Sequence, residues 1–264
     1  MLESALMEVR IEPYPGCDEA ARYLLAARHR GEPGPRLPEH CRPATLGQAL
    51  AVQMRTAELQ QAQGAPIAAW KSAVPTPEKI AVAPIYAPSV HQSRHGTAPA
   101  ADAMVRIEPE IAFELARDLP AREAPYAPAD VDAAVGAARL ALEVLGCRYS
   151  APQHVPLPEL LADHMFNQGL VLGPEIDAPA PAQMPIEVHV DGTLQEDHDG
   201  VHPNTDPRAG LYWIAEFLRA QGLGLRAGQH VITGSYAGYI DVPANREVRI
   251  VYGSLGEIAL RFVR

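Results

Sequence analysis

The stretch RIEPEIAFELARDLP, residues 106–120, alternates apolar and acidic side chains. Its odd positions from Ile107 to Leu115 are apolar, whereas its even positions include Glu108, Glu110 and Glu114. A period of two is typical of a β-strand with one apolar face. Glu108 and Glu110 then project from the same face, about 6–7 Å apart along the strand. Two acids that close repel each other unless water, a cation or a proton intervenes, so the pair indicates either a solvated strand face or a divalent-metal site.

Composition bounds the class of protein. The chain has 264 residues, 47% of them hydrophobic, and a formal net charge of −10, which suits one large domain or a core with a smaller partner. The negative charge argues against nucleic acid or an anionic membrane as the main partner, and no apolar run approaches the roughly 20 residues that span a bilayer. The start, MLESALMEVR, does not resemble an export signal. Three scattered cysteines without CxxC spacing are typical of a reduced, cytoplasmic protein: Cys17, Cys41 and Cys147.

Two helices are predicted before residue 70. The segment 17–31, CDEAARYLLAARHRG, ends at a glycine, and the segment 45–64 begins with Thr45 and Gln48 at capping-box spacing. Gln53 is the polar member of the second helix's apolar stripe, so it needs buried partners or faces a site.

The rest of the chain mixes strands with helices. Residues 90–104 are predicted to form a mobile loop and residues 127–142 a helix, with a strand or its lead-in following at 141–149. A strand leading into an Asp-Gly turn is expected at 185–195, and an amphipathic helix at 209–222. The tail, 230–264, is predicted to be a run of short antiparallel strands with a GSLG hairpin connection.

Glu143 extends the metal hypothesis. It lies in the strongly apolar stretch ALEVLGCRY, where a lone charged acid would be costly to bury. The cost falls if Glu143 binds a cation that Glu108 and Glu110 also bind. Three carboxylates, completed by water or substrate oxygens, suit the all-oxygen coordination of Mg²⁺ or Mn²⁺.

The histidines of QEDHDGVH offer a second, weaker metal hypothesis. His198 and His202 are four residues apart, which would suit zinc on a helix. Gly200 and the preceding Asp-Gly turn favour a solvated acidic loop instead.

These segments, in order, resemble a known family. RIEPEIAFELARDLP, ALEVLGCRY, LADHMFNQGLVLG and WIAEFL…LRAGQHVITGSYAG look like the 2-keto-4-pentenoate hydratase group of the fumarylacetoacetate hydrolase superfamily, from about Thr45 to the C-terminus. The resemblance implies an α+β fold, with a small helical part at 1–70 and a mixed, β-rich catalytic core of curled sheets at 71–264. It also implies Mg²⁺ or Mn²⁺ held by Glu108, Glu110 and Glu143, and a homo-oligomer.

The resemblance assigns further site residues. Lys71, in AAWKSAV, matches the family lysine beside the substrate carboxylate and is also a candidate catalytic residue, although a lysine in an apolar run can simply extend its amine to solvent. Gln53, Thr233 and Ser235 are the other candidate substrate-binding residues.

Two departures from the family pattern concern chemistry. The family's Lys-Val-Gly is Lys71-Ser72-Ala73 here, and the matching stretch VAPIYAPSVH lacks the family's proton-transferring aspartate. Tyr86 and His91 are the candidate catalytic replacements. The expected function is hydration of a 2-hydroxydienoate or related 2-keto acid through a metal-stabilised enolate. Decarboxylation, C–C bond hydrolysis and a catalytically lapsed keto-acid-binding relative remain alternatives, because one metal site serves all of them.

Overall fold

The computed structural model describes residues 9–76 and 79–264. Residues 1–8, where the absence of an export signal was expected, and that part of the helical segment 1–70 lie outside the described residues. The helices are α1 (Cys17–Arg30), α2 (Leu46–Ala62), α3 (Pro128–Asp132), α4 (Leu157–Ala162) and α5 (Ala209–Ala220).

The strands form two sheets. They are β1 (Ile67–Thr76), β2 (Lys79–Tyr86), β3 (Val90–Gln92), β4 (Thr97–Pro99), β5 (Met104–Leu115), β6 (Val135–Leu145), β7 (Asn167–Glu175), β8 (Gln183–Val190), β9 (Thr193–Val201), β10 (His230–Ile232), β11 (Ile240–Pro243), β12 (Glu247–Tyr252) and β13 (Glu257–Val263). The larger sheet has the order β2-β1-β10-β5-β6-β7-β3, and β11 also pairs with β5. The second sheet has the order β4-β13-β12-β8-β9.

Strand β5 lies near the middle of the larger sheet and is buried on both faces. Its odd residues Ile107, Ile111 and Phe113 join the main hydrophobic core, which also contains residues of α1, α2 and α5. Its opposite face carries Glu108 and Glu110. This face is covered by a separate cluster of mostly small apolar side chains from neighbouring strands: Ala69, Ile85, Ala112, Ala141, Leu170, Leu172 and Ile232. The acidic face of β5 is therefore not a solvated strand face.

Several local predictions are confirmed. Strand β5, helices α1 and α5, and the β12–β13 hairpin fall where the sequence places them. The Thr45 hydroxyl accepts a hydrogen bond from the Gln48 amide at 3.1 Å, as an N-cap does. The Gln48 side chain accepts instead from the amide of Ala44. In the tail, β10 and β11 pair with β5 rather than joining the β12–β13 meander.

The helix predicted at 127–142 is wrong for most of its length. Helix α3 ends at Asp132, and strand β6 begins at Val135. Alanine favours a helix locally, but β6 pairs with β5 on one side and β7 on the other, and this pairing overrides propensity. A Cβ on Gly136 would lie 2.7 Å from the Ala116 Cβ, so glycine permits the close approach of the two strands.

Two predicted loops are also wrong. Residues 90–104 contain β3 and β4, which pair in parallel with β7 and β13. The segment 195–202 lies mostly in β9, which pairs with β8, so its acidic side chains project from an exposed strand. His198 contacts Glu196 at 3.0 Å, whereas His202 is buried beside Asn204. The two histidines are not brought together for zinc.

The predicted division at residue 70 falls inside β1, which begins at Ile67, and the two-part division stays a prediction. Within the described residues, no helix combines the length and apolar character that crossing a bilayer requires.

Candidate metal centre

Three carboxylates converge on the covered face of the larger sheet. Strands β5 and β6 pair in a register that places Glu108 directly opposite Glu143, and Glu110 follows on the same face. Oxygen atoms of the three side chains all lie within 4.8 Å of one another. Glu143 is 0% and Glu110 3% exposed, while Glu108 is partly buried. Like charges in such cross-strand positions destabilise a sheet unless a cation compensates them.

Lys71 supplies one compensating charge. It projects from β1, and its Nζ lies 2.8 Å from Glu143 Oε1 and 3.0 Å from the Met165 carbonyl oxygen. Burial alone would lower the pKa of Lys71, but the carboxylates, Glu143 first and Glu108 second, outweigh burial and raise it. Lys71 is therefore a cation that belongs to the cluster.

Two further groups orient the carboxylates. The Asn167 side chain, at the start of β7, donates to Glu143 Oε1 at 2.8 Å. The backbone amide of Gly234 donates to Glu110 Oε2 at 2.6 Å. Gly234 has a φ of 139°, and a Cβ there would lie 2.6 Å from Pro203 Cγ, so this position requires glycine. Such supporting hydrogen bonds are what metal ligands usually need to hold their geometry.

The donor set fits a divalent cation. Glu143 Oε1 already accepts from Lys71 and Asn167, but Glu143 Oε2 is buried with no hydrogen-bond partner in the described structure. Burial, then the charges of Glu143 and Glu108, raise the pKa of Glu110 well above its ordinary value. A hard cation with oxygen ligands would satisfy the orphan oxygen and offset the repulsion.

A second group of possible ligands is less suitable. Glu19, His40 and the Cys41 thiol also come within 4.8 Å of one another. Glu19 and His40 are exposed and pair with each other at 2.9 Å. The Cys41 thiol donates to the Pro38 carbonyl, and burial raises its pKa, so the thiolate that binds metals is disfavoured.

A left-handed turn brings a carbonyl to this centre. His164, Met165 and Phe166 have consecutive φ values of 63°, 46° and 66°. Each such non-glycine residue costs about 1–2 kcal/mol. The turn directs the Met165 carbonyl toward Lys71, and the His164 Nε2–Tyr86 hydroxyl contact of 2.9 Å secures it. Strain of this kind is found mainly where function requires a particular geometry.

A cavity of about 880 Å³ opens beside the carboxylates. Of the three acids, Glu108 lines it, together with Arg28, His91, Arg148, Phe166 and Gln168. Ligands entering this cavity therefore meet the cluster through its least buried carboxylate.

The two candidate proton-transfer residues lie in different surroundings. His91 is partly buried on β3 and lines the cavity, and burial lowers its pKa, so its imidazole is neutral near pH 7. Tyr86 is 2% exposed and faces His164 rather than the cavity, and burial raises the pKa of its phenol.

The remaining candidate residues lie at varied distances from the chemistry. The Thr233 hydroxyl donates to the Pro207 carbonyl at 2.8 Å, next to Gly234. The Ser235 hydroxyl donates to the Gly238 carbonyl at 2.7 Å. Gln53 is fully buried and donates to the carbonyls of Val82 and Leu161 at 2.9 and 2.5 Å, so it joins α2 to β2 and α4. Sequence reasoning missed Asn167, the Gly234 amide and the Met165 carbonyl.

The chain matches one protein family over most of its length. Residues 48–262 correspond to the family described as fumarylacetoacetate (FAA) hydrolase C-terminal. The chain belongs to the FAA hydrolase family. This confirms the resemblance seen in the sequence. A 2-oxo-hept-4-ene-1,7-dioate hydratase from Escherichia coli is 26% identical over 166 residues, which is 60% of this FAA hydrolase family member and 61% of the relative. The match thus spans about three fifths of that curated relative.

Solved structures share the FAA hydrolase-like fold. A 4-oxalocrotonate decarboxylase from Pseudomonas putida G7, complexed with magnesium and adipate, superposes with a TM-score of 0.79 at 17% identity, over 94% of this chain and 97% of that chain. The same decarboxylase complexed with calcium and acetate gives 0.77 at 18% identity, with the same coverage. The predicted mixed, β-rich architecture is therefore confirmed.

Proposed function

We propose that this protein is a Mg²⁺- or Mn²⁺-dependent hydro-lyase that hydrates a 2-hydroxydienoate or related 2-keto acid. One observation carries the proposal: the carboxylates of Glu108, Glu110 and Glu143 converge within 4.8 Å beside a substrate-sized cavity. The buried, unpartnered Glu143 Oε2 adds support, because a cation would satisfy it.

The three glutamates would hold the cation, with Asn167 and the Gly234 amide fixing two of them. When bound, a divalent cation supplies Lewis-acid stabilisation of the enolate that develops as a 2-keto acid rearranges. Lys71 would orient the substrate carboxylate, since its ammonium is held at the cluster by Glu143 and the Met165 carbonyl. The hydrophobic cluster around the acids limits the access of bulk water.

His91 is the better candidate for moving protons. A neutral imidazole in the cavity wall can accept a proton from water and return it to substrate carbon. Tyr86 is directed toward His164 and acts through the left-handed turn instead. Thr233 and Ser235 support the loop that carries the Gly234 amide.

Decarboxylation is the second candidate. The stretch VAPIYAPSVH lacks an acid, and loss of CO₂ requires less proton transfer than addition of water does. In that reaction the same site would stabilise the enolate left behind. The fold similarity to 4-oxalocrotonate decarboxylase is compatible with both reactions.

Product analysis separates the two reactions. The Mg²⁺-loaded protein is incubated with a 2-hydroxydienoate and, separately, with its carboxylated analogue, while dienoate absorbance, CO₂ and product mass are followed. We expect the absorbance to fall in a metal-dependent manner and the product to be heavier by one water. Release of CO₂ with a correspondingly lighter product would assign decarboxylation instead. Absence of turnover with retained metal-dependent oxalate binding would leave a binding role or a different keto acid.

The substrate is expected to be a small molecule, and the homo-oligomer implied by the resemblance stays a prediction.

A further inference from the structure

The cavity beside the metal centre is lined by three arginines that differ in their partners. Arg106 forms a two-fold pair with Asp241, with both distances 2.8 Å. Arg148 pairs with Asp163 at 2.5 Å. For Arg28, no carboxylate lies within ion-pair distance among residues 9–76 and 79–264. Arg28 is thus the cavity arginine whose charge the described chain does not neutralise directly.

Backbone contacts hold Arg28 in place. It projects from the last turn of α1, and its guanidinium donates to the Asn167 carbonyl at 2.8 Å and more weakly to the Gln168 carbonyl at 3.4 Å. A guanidinium has five N–H donors in a rigid, planar arrangement, so donors remain for a ligand in the cavity. Two planar contacts to backbone orient the group without neutralising it.

The electrostatic surroundings favour an incoming anion. Arg28 is partly buried, and burial, with the neighbouring Arg148 second, lowers its pKa to about 9, so it stays charged at neutral pH. Two acids, Glu32 and Asp102, also line the cavity, but both are exposed and solvent screens them. A carboxylate bound to Arg28 would gain the bidentate geometry that arginine favours.

Asn167 connects Arg28 to the metal centre. Its carbonyl accepts from Arg28, and its side chain donates to Glu143. The guanidinium is therefore separated from a proposed metal ligand by a single residue, and both it and Glu108 line one cavity. A ligand chelated at the carboxylate cluster would extend its far end into the cavity that Arg28 lines.

We propose that Arg28 is a specificity-determining residue that binds a second carboxylate, at the substrate end remote from the 2-keto acid. The substrates would then be 2-keto dicarboxylic acids rather than monoacids. This proposal rests on the proposed function, because the metal centre must hold the 2-keto acid end. The contrasting role for Arg28 is purely structural, joining α1 to the start of β7.

Matched pairs of keto acids test the proposal. Calorimetry on the Mg²⁺-saturated protein compares 2-oxoadipate with 2-oxohexanoate, which differ only in the distal carboxylate, and repeats the comparison with the five- and seven-carbon pairs. We expect the diacid to bind about tenfold more tightly or better in at least one pair, as a charge-assisted hydrogen-bonded pair provides. In Arg28→Met the preference should fall to about twofold or less, with monoacid affinity unchanged.

Two further variants guard against misfolding. Arg28→Gln keeps a donor for the Asn167 carbonyl and should also lose the preference, while Arg30→Met changes an exposed arginine on the same helix and should keep it. A preference that survives in Arg28→Gln, or a folded wild type with no preference in any pair, would overturn the proposal. Monoacid binding without diacid preference rejects the Arg28 role alone, whereas metal-independent or absent binding of every acid rejects the proposed function as well.

Discussion

Replacing Glu143 by glutamine is expected to lower the affinity for Mg²⁺ by about a hundredfold or more, since losing a supporting group alone can cost ten- to a hundredfold. Glutamine keeps an oxygen to accept from Lys71 and Asn167, so the local structure has the means to persist. It removes the negative charge and replaces one carboxylate oxygen with an NH₂ group that cannot bind a cation. Calorimetry on chelator-stripped protein measures the change.

Glu114→Gln is the matched control for this variant. Glu114 lies on the same strand, β5, but pairs with Arg139 and His230 outside the cluster. We expect its Mg²⁺ affinity to equal that of the wild type. Equal affinities in Glu143→Gln and Glu114→Gln would show that the metal, if bound, is held elsewhere.

Replacing Lys71 by methionine is expected to have two effects. Without Mg²⁺, the free energy of unfolding should fall by about 3 kcal/mol or more, because breaking a buried ion pair leaves Glu143 uncompensated. Mg²⁺ should stabilise the variant more than the wild type, since the cation then relieves greater repulsion. Oxalate binding to the Mg²⁺-loaded variant should weaken about tenfold. Urea unfolding with chelator or with Mg²⁺, and oxalate calorimetry, measure these effects.

The double variant Lys71→Met/Glu143→Gln separates charge pairing from packing. If pairing causes the instability, the metal-free double variant should be less destabilised than the sum of the two single variants. Additive losses, with unchanged oxalate affinity in Lys71→Met, would reduce Lys71 to a packed stem with a solvated amine.

Local patterns predicted much of this fold. The alternation in β5 and the caps of α1 and α2 act over a few residues, so the sequence carries them directly. Strand β6 was missed because alanine-rich residues favour a helix until β5 and β7 pair with them, and that pairing is non-local. The same limit applies to β3 and β4, three-residue strands that exist because β7 and β13 lie beside them.

The acidic face of β5 shows what local pattern leaves open. Alternation predicts that Glu108 and Glu110 share a face, but it does not say what covers that face. The cover comes from small side chains far apart in sequence, among them Ala69, Ala141 and Ile232. Only the folded sheet brings them together, and only then is a solvated face excluded.

The supporting groups around the acids were partly signalled. Asn167 is a polar residue at the start of the apolar run NQGLVLG, a pattern that could have drawn attention to it. The Thr-Gly-Ser segment was noticed, but its contact with the acids is made by the Gly234 amide rather than by a side chain. A backbone donor leaves no residue-type signal, and neither does the Met165 carbonyl.

Crystals soaked with Mn²⁺ and oxalate provide the most direct test of the metal centre. Mn²⁺ scatters anomalously, and oxalate mimics the chelating end of a 2-keto acid. The account predicts an anomalous peak between Glu108, Glu110 and Glu143, within about 2.0–2.3 Å of their oxygens, with oxalate completing the coordination toward the cavity. A peak at Glu19 and His40, or no peak between the three glutamates at saturating Mn²⁺, would contradict it.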